Sequence, residues 1–251
     1  TSFGGAYWVW MIILFAFVIQ AVSYEFRTKP NNWLGKRTFE TFLFINGALG
    51  TILIGAAIAT FFTGSEFFVS DMNNSVWKHP ARGLEAALNL QNLSLGLAVF
   101  FLARTLGILY FINDIDDDAI IPRARKHLMY NAIPFVVFFL VFVVWLMLKE
   151  GFAYHPETGE VFMQDHKYWH NFTTIWWNSI LFLVGVVLVL WGIGRGLFTE
   201  SGKGIWLAGA GTALTVFALF IMAGFNNTAF YPSTYDLQSS LTIRNASSSH
   251  Y

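Results

Sequence analysis

Apolar residues run through several consecutive turns at six places in this chain, approximately Ala6–Ser23, Thr38–Phe62, Leu90–Ile112, Asn131–Leu148, Thr173–Ile193 and Ile205–Phe225. Crossing a hydrocarbon core about 30 Å thick takes about 20 helical residues at about 1.5 Å each, and all six stretches approach or exceed that length. Within that core only helices and closed barrels satisfy every backbone N–H and C=O, and the ten-residue alternation of a membrane barrel is missing. The pattern predicts an all-α membrane protein with six transmembrane helices in a single polytopic domain. Polar positions gather between the spans. Two of the connections, 63–89 and 149–172, are long enough to fold over the mouth of a bundle, and a third polar stretch, 226–251, forms a tail.

Lys and Arg fix the expected orientation, because basic loops are retained on the cytoplasmic side. Arg27, Lys29, Lys36 and Arg37 follow the first span, Arg123, Arg125 and Lys126 the third, and Arg195 and Lys203 the fifth. The opposite side carries only Lys78, Arg82, Lys149, Lys167 and Arg244, although its segments are longer. The loops after spans one, three and five are therefore expected in the cytoplasm, with Thr1, the two long loops and the tail outside. Tryptophan favours the membrane interface, and its placement agrees. Trp8, Trp10, Trp145, Trp169, Trp176 and Trp177 mark one set of span ends, and Trp33, Trp191 and Trp206 the other.

Composition narrows the function classes. A content of 55% hydrophobic against 12% charged residues, with mean hydropathy +0.53, suits a bilayer, and 18% aromatics rule out a disordered chain. A formal net charge of zero gives no electrostatic reason to expect nucleic acid. With no cysteine there is no disulfide, no thiolate-held metal and no covalent haem attachment. The chain opens on Thr1-Ser2-Phe3 without a signal peptide, which reads as an internal piece of a longer protein.

Ionisable groups at membrane depth are functional candidates, since burying a charge there costs about 2.5–3.5 kcal/mol on the mildest scale. Arg104 is the main one. It stands ten residues before Asp114, about 15 Å from that helix end. Glu40 and Asn46 lie in the second span, entered from the same side, and a contact of Arg104 with Glu40, Asn46 or a partner subunit would relieve its burial. The plainer reading makes Arg104 a structural pin between helices and Glu40 an interfacial carboxylate near Arg37; the sharper one, a branch of a proton-uptake path, needs more relay groups than these spans supply. Small residues Gly47, Gly50, Gly55, Ala56 and Ala59 in the second span, and Gly209 with Ala213 in the sixth, suggest packed seams.

Haem needs a His, Met, Cys or Tyr at membrane depth. His79, His155, His166, His170 and His250 fall outside the spans on one side and His127 on the other, while Met11, Met147 and Met222 lie toward span ends with no histidine opposite. The chain is therefore expected to hold no haem by itself. His166 and His170 have the i, i+4 spacing of a zinc pair, and Asp114, Asp116, Asp117 and Asp118 could attract a divalent cation. The plainer readings are an interfacial histidine pair and a solvated turn. No P-loop, dinucleotide fingerprint or Ser/His/Asp arrangement appears.

Two stretches are more specific. One joins Tyr24-Glu25-Phe26-Arg27-Thr28-Lys29 and Trp33 to a helix closing in Gly64-Ser65-Glu66-Phe67; the other is Tyr231-Pro232-Ser233-Thr234, then Ser240-Leu241-Thr242-Ile243 and Asn245-Ala246-Ser247-Ser248-Ser249. Together with the order of the spans they resemble subunit II of cytochrome bd quinol oxidases, with Tyr24 in place of a leading Phe and one Ser fewer before Thr234. The resemblance covers essentially the whole chain and matches the third to eighth of about nine family spans. It implies parts of two four-helix bundles, beside a subunit I that carries two b-type haems, one d-type haem and the quinol-oxidising loop. It further implies quinol oxidation coupled to reduction of O₂ to water, charge separation across a prokaryotic plasma membrane, and contacts with lipid, a structural quinone and a small accessory subunit. The family's N-terminal proton-delivery motif has no counterpart here, so no catalytic, cofactor-binding or metal residue is assigned. A transporter or channel subunit would carry charged groups mid-span in several helices and interrupted spans, whereas this chain has essentially Arg104 alone. A structural membrane scaffold would leave a partner's haem spectrum unchanged.

Overall fold

The structure, a computed structural model, describes residues 6–30, 32–72, 74–199 and 202–243. Six helices are long and apolar enough to cross a membrane: α1 (Tyr7–Phe26), α2 (Lys36–Thr63), α3 (Leu90–Asp114), α4 (Ile120–Leu148), α6 (Trp176–Phe198) and α7 (Gly204–Gly224). A short helix, α5 (Lys167–Thr174), precedes α6. Asn89 caps α3, its side chain accepting from the backbone N–H groups of Gln91 and Asn92.

The largest departure from the expected spans is α4. It begins at Ile120 rather than Asn131, so Arg123, Arg125 and Lys126 occupy its first two turns and the connection from α3 shrinks to 115–119. Hydropathy marks where a helix becomes apolar, but the backbone stays helical for about 16 Å before that point.

Helices in lipid gain nothing from hiding apolar surface, so close packing must hold them together. The tightest seam joins α6 to α7. A Cβ added at Gly192 would stand 2.5 Å from the Ala208 amide nitrogen, and one at Gly211 would stand 2.6 Å from the Gly185 carbonyl. Gly209 and Ala213, the small pair expected from sequence, are not on this seam: Ala213 is exposed and Gly209 has open space around it. The seam follows Gly204, Ala208, Gly211 and Thr215 instead, a stripe rotated around the same helix. On α2 the expectation holds at Gly55, whose Cβ would meet Gly96 Cα of α3 at 2.7 Å, with Ala56 and Ala59 buried alongside; a Cβ added at Gly47 or Gly50 would meet nothing within 4 Å.

Helices α3, α4, α6 and α7 form a four-helix bundle whose buried core includes Leu95, Leu109, Leu128, Phe135, Phe142, Phe182, Val189 and Leu219. Helix α2 packs on α3, and α1 packs on α2 through Val9, Ile13 and Leu53. Much of the outer face of α1, including Leu14, Phe15, Phe17 and Val18, is exposed.

One end of the bundle carries a cap made from both long loops and the tail. Two antiparallel hairpins, β1 (Phe67–Val69) with β2 (Ser75–Trp77) and β3 (Gly151–Tyr154) with β4 (Val161–Gln164), are the only paired strands among the described residues. The tail threads between them, bridging Thr228 to Ala153 and Ser233 to Ser65.

Candidate functional site

Arg104 and Asn46, two of the candidates named from sequence, pair with different helices on separate seams. On the seam of α3 and α4, Arg104 Nε donates to Asn131 Oδ1 at 2.7 Å, and Asn131 Nδ2 donates to the His127 carbonyl at 2.7 Å. The Arg104 guanidinium carbon also lies 5.6 Å from the Phe100 ring centroid. On the seam of α1 and α2, Asn46 Nδ2 donates to Gln20 Oε1 at 2.6 Å. Asn46 Oδ1 is buried without a hydrogen-bond partner among the described residues. Glu40 is exposed near the start of α2, with Lys36 Nζ 3.7 Å away.

Arg104 therefore does not reach Glu40 or Asn46. The crossing at Gly55 and Gly96 brings Asn46 to about the depth of Arg104, but Asn46 faces α1 while Arg104 faces α4. Depth was legible in the sequence, and azimuth was not. The partner that sequence reasoning missed, Asn131, carried a usable signal: it lies about as far along α4 from the short turn as Arg104 lies before it. Two antiparallel helices joined by a tight turn bring such positions side by side.

A cavity of about 160 Å³ lies inside the four-helix bundle, lined by α3, α4, α6 and α7. Its polar lining is limited to Thr212 and Thr215, whose hydroxyls donate to the Ala208 and Gly211 carbonyls. None of the lining side chains can ligate iron, so the cavity does not fit a haem; it offers hydrocarbon surface to an acyl or isoprenoid chain. Among the described residues no three His, Asp or Glu side chains come together as a metal site. His166 sits just before α5 with φ of 50°, outside the helix that would align it with His170, and His155 stacks on Phe162.

The end of the first stretch that carries the family resemblance, residues 64–67, meets residues 231–241 of the second in the cap, while residues 24–29 and Trp33 lie at the opposite end of the bundle. Gly64 ends α2 with φ of 83°, where a side chain would collide with Thr234. The Ser65 amide donates to the Pro232 carbonyl at 3.1 Å, and the Thr234 amide returns to the Ser65 carbonyl at 3.0 Å. The Ser233 hydroxyl donates to the Phe67 carbonyl, and the Ser240 hydroxyl accepts from the Ser233 amide at 2.9 Å. Fully buried Phe67 packs against Trp77 and Tyr231. These motifs close the cap, and they place no reactive group there. Thr1, Arg244, Asn245 to Ser249 and His250 lie outside the described residues.

Beneath the hairpins, Lys167 is buried and donates to the Asn226 carbonyl at 2.7 Å; desolvation pushes its pKa down. Burial also lowers the pKa of Lys149, opposed by neighbouring Glu150. Next to Lys167, the fully buried Tyr168 phenol is pushed up by desolvation, and it donates to the Phe62 carbonyl at 3.2 Å. Asn171 donates to Met222 O and Thr228 Oγ1 and accepts from Asn226 Nδ2, tying α5 to the end of α7.

Comparison with curated proteins gives no significant match. Against protein families, the description that matches is cytochrome bd terminal oxidase subunit II, over residues 1–251. It accords with the six apolar helices and with two family-like stretches that close on each other in the cap through Phe67 and Ser233, 166 residues apart. The chain is a multi-pass membrane protein and belongs to the family of cytochrome bd terminal oxidase subunit II.

Proposed function

We propose that this chain is the haem-free subunit of a quinol oxidase complex, supporting a larger partner that carries b- and d-type haems, oxidises quinol and reduces O₂ to water. The observation that carries this reading is the interior of the four-helix bundle, where the lining is apolar and offers no side chain able to ligate iron. Electron transfer then belongs to the partner. This chain supplies helix surface, a closed cap and a slot for hydrocarbon. A structural quinone would place its isoprenoid tail in that slot, and its ring would need polar partners elsewhere. The excess of Lys and Arg at the end opposite the cap supports a cytoplasmic position for that end, and the membrane in this reading is the plasma membrane of a prokaryotic cell. The cap then lies outside, and protons for water come from the cytoplasm, separating charge across the membrane. Lipid and a small accessory subunit complete the surroundings of the complex.

The test is purification with the neighbouring subunits, with and without this chain. The expected result is a complex with b- and d-type haem absorption and quinol-dependent O₂ uptake that is lost when this chain is deleted. Full turnover without it defeats the reading.

A further inference from the structure

Arg104 is exposed on the outer face of the bundle although it lies at membrane depth. Its side-chain hydrogen bond among the described residues goes to a neutral amide, through Nε, and it belongs to none of the ion pairs among those residues. The two terminal nitrogens of the guanidinium make no hydrogen bond among the described residues, which leaves charge still to be met. An anionic lipid headgroup is the first occupant to weigh. Side chains on a helix point toward its N-terminus, and the guanidinium lies over Phe100, one turn toward the cap end. It is turned away from the nearer interface, where phosphates would stand.

A second feature of the same face points to protein. Ala103 is exposed, and a Cβ added at half-exposed Gly107 would meet nothing within 4 Å. With their i, i+4 spacing these two small residues leave an open notch beside Arg104, of the kind that lets another helix approach closely. At Gly55 and Gly192 such notches are filled by a neighbouring helix, whereas Gly47 and Gly209 are open like Gly107 but have no cation beside them.

We propose that Arg104 and the Ala103–Gly107 notch form an intramembrane docking point for a partner's transmembrane helix bearing a carboxylate at that depth. Asn131 aims the guanidinium by holding Nε, and the carboxylate takes the terminal nitrogens in a bidentate pair. The inference rests on the reading that the chain works within a membrane complex.

The experiment compares wild type, Arg104→Met and Arg104→Lys, each expressed with its cognate subunits and purified in mild detergent. Removing one member of a buried pair leaves the other charge stranded, so the methionine variant is expected to retain about tenfold less of the partner or lower still, and lysine to restore part of it. Unchanged partner retention in Arg104→Met overturns the proposal, because methionine suits a face that merely meets lipid. Should that variant fold poorly, a benzophenone photo-cross-linker at Ala103 reads the same surface. Adducts with a membrane-helix peptide containing Asp or Glu support the proposal, and adducts with phospholipid alone overturn it. If wild type isolates with no integral-membrane partner, the functional reading itself fails, and the contact with it.

Discussion

Replacing Gly192 by alanine adds one methyl group and tests what holds α6 to α7. The new Cβ would stand 2.5 Å from the Ala208 nitrogen and 2.6 Å from the Gly204 carbonyl oxygen, both backbone atoms of a neighbouring helix. Relief requires the helices to part locally by about 0.9 Å to restore ordinary contact, and a gap of that size forfeits about a quarter to a half of each dispersion contact. For a seam of about 40 atom pairs at about 0.15 kcal/mol each, the loss is about 2 kcal/mol. Alanine regains about 1 kcal/mol of helix propensity over glycine, leaving a net destabilisation of about 1–2 kcal/mol. Gly209→Ala is the matched control, since nothing lies within 4 Å of its added methyl; it should be neutral or stabilise by up to about 1 kcal/mol. Both variants can be read by unfolding in mixed micelles with rising denaturing detergent, using the fluorescence of Trp191 and Trp206 beside the seam. A Gly192→Ala protein as stable as wild type, or a Gly209→Ala protein as weakened as Gly192→Ala, would refute the reasoning.

Asn131→Leu removes the acceptor from Arg104 Nε and should cost about 1.5–3 kcal/mol, the range for a hydrogen bond to a charged group, in the same titration. Asn171→Leu strands the Met222 carbonyl and the Asn226 and Thr228 side chains in the buried core of the cap. It should cost about 2–4 kcal/mol and show as faster amide exchange over 225–243. Desolvation lowers the pKa of Lys167, so the folded protein binds that proton less tightly than the unfolded chain does. The stability of wild type relative to Lys167→Met should therefore rise as pH climbs from the lowered pKa toward the ordinary lysine range, and a difference that is flat or falls with pH would contradict this.

The site was legible in part. Arg104 announced itself because a charge inside a long apolar run is costly anywhere, and that argument needs no partner. Its true acceptor did not, because Asn131 lay at the edge of the predicted span and the helical extension back to Ile120 was not apolar enough to be seen. The choice of Gly209 and Ala213 failed for a related reason. Spacing identifies which residues share a face, but a helix that is apolar all round gives no sign of which face meets its neighbour.

Length and apolarity of the six runs determined, from sequence alone, that this is an all-α membrane protein, since lipid admits only helices and closed barrels and the alternation of a barrel is missing. Only the tertiary structure decided which helices pair, that Arg104 leans on Asn131 and still faces outward, and that two distant motifs close one cap. Those outcomes depend on the rotation of each helix about its axis. That rotation is set by close contacts such as Gly192 against Ala208, and hydropathy, which is nearly uniform around these helices, does not encode it.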